Sequence, residues 1–186
     1  DLDAVDAWVG QHHPVAIGGI GLDYYVENLD RERQRDLFDA QLAVARNAGL
    51  PVLLHVRKAH DDVLACLRQT PVAGGIVHAF NGSAQQARQY IDQGFVLGIG
   101  GTVTYERSTK IRALARALPL EALVLETDAP DMAVAAHHGE RNSPEYLTDV
   151  LQALAGVRDE PLQAIARQTK LNADRGLRLD SSTPDG

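Results

Sequence analysis

Two histidines and one aspartate in this chain each sit where a short apolar run ends. Leu53-Leu54 leads into His55, Ile76-Val77 into His78, and Leu123-Val124-Leu125 into Glu126-Thr127-Asp128. If those runs are parallel strands, their carboxyl ends share one edge of a sheet, and side chains distant in sequence can converge there. Two imidazoles and a carboxylate form a ligand set suited to Zn, Mn, Fe, Co or Ni. The competing reading is a structural polar network, since hydrogen-bonded groups also collect at strand ends. Spacing alone leaves both open.

The runs that must position these residues are Val15-Ala16-Ile17, Pro51-Val52-Leu53-Leu54, Gly75-Ile76-Val77, Phe95-Val96-Leu97-Gly98-Ile99 and Leu123-Val124-Leu125. They are continuous rather than alternating, as in strands buried on both faces. Stretches with helical punctuation separate them. Residues 30–47 carry Leu37, Phe38, Leu42 and Ala45 on one face and stop at Gly49-Leu50-Pro51. A second helix is expected over 61–69. Ser83 to Gln86 reads as a capping box, with Gly94 as the stop. Ser108 can cap a helix with Ile111, Leu114, Ala115 and Leu118 as its buried stripe. Ser143-Pro144 opens another, with Leu147, Val150, Leu151 and Leu154 inward and Gly156 as its end. A last helix is expected over 160–174.

This alternation predicts βαβ units and a parallel sheet. Five runs by count suit an open doubly wound sheet, because a (β/α)8 barrel needs eight strands and typically ~250 residues. No Gly-x-Gly-x-x-Gly or Gly-x-x-x-x-Gly-Lys-Ser/Thr turn follows a strand, which argues against a nucleotide fold. Gly98-Ile99-Gly100-Gly101 reads as a tight strand exit.

Composition narrows the class further. The 186 residues are 45% hydrophobic and 23% charged, as in an ordinary globular domain. We expect one domain over 1–180 and a flexible tail at 181–186. With 18 basic and 25 acidic residues the net charge is −7, so a nucleic-acid substrate would need a local basic patch or a metal. No apolar run approaches the ~18 residues of a membrane span, and the acidic start is unlike a secretory leader. A lone cysteine, Cys66, fits a reducing cytoplasm. Its apolar neighbours make it a core residue rather than a nucleophile.

Five ordered motifs then resemble one family. Ile17-Gly18-Gly19-Ile20-Gly21-Leu22-Asp23-Tyr24 is similar to its G-E-I-G-L-D-Y segment. Pro51-Val52-Leu53-Leu54-His55-Val56-Arg57 resembles P-V-x-x-H-x-R, and His78-Ala79-Phe80-Asn81-Gly82-Ser83 resembles H-C-F-S-G-S. Leu125-Glu126-Thr127-Asp128-Ala129-Pro130 matches L-E-T-D-A-P, and Gly139-Glu140-Arg141-Asn142-Ser143-Pro144 matches G-x-R-N-x-P. The chain is thereby identified as a member of the TatD-related metal-dependent deoxyribonucleases, within the amidohydrolase-like superfamily. The resemblance implies a partial (β/α)8 TIM barrel of about five C-terminal βα units, corresponding to family strands 4 to 8. It also implies a divalent metal (Zn, Mn, Mg or Co) held by His55, His78 and Asp128. Cleavage of DNA phosphodiester bonds by a metal-activated water would follow. Asp128 would be the catalytic residue, taking a proton from that water, and Arg57 and Arg141 would pair with phosphate oxygens.

The chain departs from the family pattern in two places. The family's glutamate that bridges two metals falls at Gly19, which offers no ligand, and no H-x-H pair occurs. The alternatives are therefore an impaired remnant binding at most one metal, or an amide or ester hydrolase on the same scaffold. Ala79, Asn81 and Asp131 also differ from the pattern. Glu126 is read as a supporting carboxylate. His12-His13 and His137-His138 are read as loops, and Lys110, Arg112 and Arg116 as a solvated helix face. Tyr24 and Tyr25 could line the pocket, while Trp8 belongs to a helix lacking its barrel partners. A partial barrel leaves two open edges, which predicts homo-oligomers, a rearranged N-terminus or low stability.

Overall fold

A computed structural model describes residues 2–179, so the tail expected at 181–186 lies outside the described residues. Its elements alternate: α1 (Leu2–His12), β1 (Ile17–Asp23), α2 (Arg31–Ala48), β2 (Val52–Arg57), α3 (His60–Gln69), β3 (Gly75–Val77), α4 (Ala84–Asp92), β4 (Phe95–Ile99), α5 (Thr109–Ala117), β5 (Leu123–Leu125), α6 (Leu147–Ala155) and α7 (Leu162–Gly176). Among the described residues all five strands pair in parallel, in the spatial order β1-β2-β3-β4-β5. That order decides between the two architectures. A doubly wound sheet reverses its strand order at a switch point. Here the order never reverses, and right-handed crossovers then keep the helices on one face. The sheet is a wedge of barrel wall, as the motif resemblance implies and the strand count does not.

The two faces of the sheet differ accordingly. Ile20, Leu22, Val52, Leu54, Val56 and Val77 are buried towards the helices. On the concave face Leu53 is half-buried, and His55 and Arg57 are exposed. β1 runs four residues beyond the glycine pair that weakens its strand signal. Glycine is depleted in strands, but here the backbone demands it. A Cβ on Gly21 would lie 1.9 Å from the His55 carbonyl oxygen, and Gly21 has φ +148°. A bulge between Gly18 and Ile20 shifts the register, and Gly19 sits in it at φ +48°.

Local signals set most helix ends. The Asp30 carboxylate accepts from the Arg33 N–H, and Gly49 closes α2 in the left-handed conformation. Ser83 and Gln86 form the reciprocal capping box of α4. Ser108 precedes α5 without a side-chain cap bond. Ser143 likewise forms no cap bond: a single tight turn, Pro144–Tyr146, intervenes before α6. The inward stripes hold with exceptions at their ends. Leu37 is 46% exposed, while Phe38, Leu42, Val44 and Ala45 are buried. Val150 and Leu154 are buried, whereas Leu147 is exposed. Trp8 lies exposed on α1, its ring stacked on His12 at 4.4 Å.

The last helix does more than cover the wall. A Cβ on Gly176 would stand 2.8 Å from Val96 Cγ2 and 3.4 Å from Ile76 Cγ1, so the end of α7 lies directly against these strands. Asn172, fully buried, donates from Nδ2 to the Leu120 and Leu123 carbonyls, both at 2.7 Å. Arg178 reaches the Gly49 carbonyl at 3.3 Å, beside the start of β2.

Candidate metal and phosphate site

One cavity of about 860 Å³ is lined by His55, His78 and Asp128 together, at the carboxyl ends of β2, β3 and β5. The convergence expected from the strand ends is therefore present. Its internal pairing is specific. His78 Nε2 stands 3.2 Å from Asp128 Oδ1, and His78 Nδ1 stands 3.0 Å from Glu126 Oε2. Glu126 also accepts the Ala79 N–H at 2.6 Å. The hydrogen bond from Glu126, outweighing burial, raises the His78 pKa above the ordinary imidazole value; the charges of Glu126 and Asp128 add to this. Glu126 is thus a carboxylate that fixes the histidine, as its position implies.

Glu126 explains a glycine read above as a tight strand exit. A Cβ on Gly98 would lie 2.0 Å from Glu126 Oε2, so only glycine leaves the carboxylate its place. His55 is held from the other side, its Nε2 3.1 Å from Asp23 Oδ2. Burial pushes the Asp23 pKa up, but the Tyr25 N–H bond and His55 pull it lower, and the net direction is down. Asp23 carries no separate sequence signal beyond its place in the G-L-D-Y segment.

Asp128 lies on the segment after β5, at φ +59°. That segment is tied by Asn142, 1% exposed, whose Nδ2 donates to the Thr127 and Asp131 carbonyls at 2.7 Å each and to Met132 at 3.3 Å. The adjacent Arg141 is exposed and is not among the residues lining the cavity. Of Arg141-Asn142, it is the asparagine that ties the segment carrying Asp128. Arg57 does line the cavity, its guanidinium 3.5 Å above the centre of the Tyr25 ring. Tyr25 therefore supports the arginine rather than the cavity wall. Tyr24 lies beneath Arg31 at 4.5 Å.

The remaining candidates lie elsewhere. Cys66 is buried, and burial with help from Asp39 pushes its thiol up to about 11, which excludes a thiolate nucleophile at neutral pH. His137 stacks on Tyr146 at 3.8 Å and pairs with Glu140, and His138 abuts Tyr105.

The donor set fits a divalent cation in part. His78 Nε2 and Asp128 Oδ1 are spaced as neighbouring ligands of one ion, and nitrogen with carboxylate oxygen suits Zn, Mn or Co. Among the described residues, however, no three His, Cys, Asp or Glu side chains cluster closely enough to hold a metal. Gly19 supplies nothing, and open space surrounds the place its Cβ would occupy.

A curved wall of parallel strands with histidines and carboxylates at its carboxyl edge defines a TIM-barrel-type hydrolase scaffold. The family described as TatD related DNase matches residues 1–178, and the chain belongs to that family. It is 43% identical over 154 residues to the uncharacterized metal-dependent hydrolase YjjV of Escherichia coli K12, covering 82% of this chain and 60% of that protein. A Haemophilus influenzae uncharacterized metal-dependent hydrolase is 41% identical over 163 residues, covering 85% of this chain and 62% of that one. The 3'-5' ssDNA/RNA exonuclease TatD of Klebsiella pneumoniae is 38% identical over 165 residues, covering 85% and 63%. The crystal structure of the E. coli K12 YjjV superposes with a TM-score of 0.91 at 37% identity, over 96% of this chain and 70% of that one. The chain thus spans about three fifths of the length of these curated relatives.

Proposed function

We propose that this chain carries the histidine and aspartate side of a metal-dependent phosphodiester hydrolase acting on DNA. The observation that supports it best is the single cavity shared by His55, His78 and Asp128, with Arg57 on its wall. His78 and Asp128 would hold the cation and His55 would join them by releasing Asp23. A divalent cation bound there supplies charge stabilisation for a phosphate oxygen and lowers the pKa of water. The chain's own residues do the rest. Glu126 orients His78, Asp128 can accept a proton, and Arg57 offers two parallel N–H groups to a phosphate. Arg141, outside the wall, could meet only a longer substrate. The relatives' names support a hydrolase and a divalent metal, and those naming exonucleases support a nucleic-acid substrate. A cytoplasmic setting belongs to the same reading. Among the described residues no helix is long and apolar enough to cross a membrane.

The test is metal analysis with a nuclease assay on single- and double-stranded DNA, with Mg²⁺, Mn²⁺, Zn²⁺ or Co²⁺ and with chelator. We expect cutting that chelator abolishes and that Asp128→Asn lowers by about 100-fold or more, the scale of losing a proton-transfer group. A second reading, an impaired remnant, is favoured by Gly19. There Gly19→Glu restores or raises cutting: the space is open, and the left-handed backbone costs about 1–2 kcal/mol. Absence of cutting by the chain and by Gly19→Glu, with every metal, removes the nuclease reading.

A further inference from the structure

The cavity runs against the charge of the chain. The protein carries a formal −7, yet the cavity is lined by Arg57, Arg107 and Lys110, with Asp128 as its one carboxylate among the described residues. Glu126 and Asp23 stand behind the wall, paired to His78 and His55, so it is the side formed by Arg57, Arg107 and Lys110 that suits an anionic ligand.

Lys110 reaches it because α5 splits the basic face expected to be solvated. Arg112 turns to the Val103 carbonyl at 2.8 Å, and Arg116 is exposed away from the cavity wall. Lys110 instead lies on the wall, its Nζ donating to the main-chain carbonyl of Asn81 at 2.6 Å. An ammonium has three N–H groups, so this bond anchors it and leaves two to offer.

Asn81 lines the same wall, and its amide is oriented from behind. His60, 7% exposed, places Nε2 3.0 Å from Asn81 Oδ1 and Nδ1 3.2 Å from the Tyr90 hydroxyl. Asn81 Oδ1 can only accept, so Nε2 carries the proton of the neutral ring and Nδ1 accepts from the Tyr90 hydroxyl, which also faces the His60 carbonyl at 3.5 Å. Burial keeps His60 neutral by lowering its pKa, against the pull of Asn81. With Oδ1 engaged, the Asn81 Nδ2 has main-chain carbonyls as its partners, and a phosphate oxygen would replace one of them. Its contacts within the chain are long, 3.3 Å to the Ala79 carbonyl and 3.5 Å to Val56.

We propose that Lys110 Nζ and Asn81 Nδ2 form a two-donor clamp for a backbone phosphate of a nucleic acid, with His60 as the positioning residue that aims Asn81. The proposal rests on the hydrolase reading for its substrate class. Asn81 and Lys110 line the same cavity as His78 and Asp128, so a phosphate clamped there shares the cavity with that pair.

The test is fluorescence anisotropy of a dye-labelled oligothymidylate bound by the chain in EDTA, where no cutting occurs, over a series of salt concentrations. Lys110→Gln is expected to weaken binding by about tenfold and to reduce the salt slope by about 0.7, one phosphate contact on a single strand. Asn81→Asp is expected to weaken binding at least as much. His60→Phe is expected to weaken it by about threefold, and that loss to vanish in an Asn81→Ala background, which a structural role would not produce. Arg116→Gln serves as the control and leaves affinity unchanged. Unaltered affinity and slope in Lys110→Gln and Asn81→Asp, or no binding by the unsubstituted chain, overturns the clamp. Metal-dependent cutting is scored separately. Cutting with unaltered variant binding sinks the clamp alone, and Lys110-dependent binding without cutting sinks the hydrolase reading alone.

Discussion

At the scale of single residues, the groups that touch chemistry were easier to read than those that hold them. His55, His78 and Asp128 announce themselves because an apolar run ends at each, and the structure puts all three on one cavity. Asn142 does not, because nothing in an asparagine beside an arginine says which of the two is buried. Its carboxamide serves three carbonyls of the segment that carries Asp128. Asn142→Ala leaves those partly buried carbonyls without their shared donor, a loss of about 1–2 kcal/mol. Thermal or urea unfolding should show a lowered midpoint of that size. The same variant should bind metal more weakly, because Asp128 loses its frame; unchanged stability and metal affinity would show that the segment holds itself. Gly98 and Asp23 escaped sequence reading for a related reason: their partners, Glu126 and His55, are 28 and 32 residues away.

At the scale of elements, caps and apolar runs placed α2 to α7 and β2 to β5 within a few residues, whereas α1 was read only through the family resemblance. The failures have physical causes. β1 extends through glycines that carry no apolar signal; at Gly21 the neighbouring backbone approaches too closely for any side chain, whereas Gly10 on α1 has open space around it. The start of α6 is displaced because Pro144 opens a tight turn rather than the helix itself. These two kinds of glycine separate in an experiment. Gly21→Ala sets a methyl against the His55 carbonyl at a positive φ, and should cost about 3 kcal/mol or more. Gly10→Ala, on α1 with nothing within 4 Å of its Cβ, should instead gain about 0.5–1 kcal/mol. Chemical denaturation of both variants checks the pair, and opposite signs are the expected result. A tolerated Gly21→Ala would mean that β1 is not seated on β2 as described.

At the scale of the whole molecule, strand count alone pointed to an open doubly wound sheet, whereas the five motifs implied a barrel wall, and the order of the strands agrees with the motifs. Counting cannot distinguish them, since both use the same βα units. Among the described residues β1 and β5 each pair on one side only. Unpaired N–H and C=O groups on such edges are templates for another chain. Self-association through these edges is therefore expected, and sedimentation velocity should reveal species heavier than the 20.1 kDa chain as concentration rises. A single 20.1 kDa species at all concentrations would show that the edges are blunted. The last helix bears on the same question. Gly176 rests on Val96 and Ile76, and Arg178 reaches across to the turn before the second strand. It thus spans the sheet as a brace from β4 to the start of β2. Such a strut ties the strand that carries His55 to the strand that leads into His78, and so keeps the two imidazoles in one fixed relation.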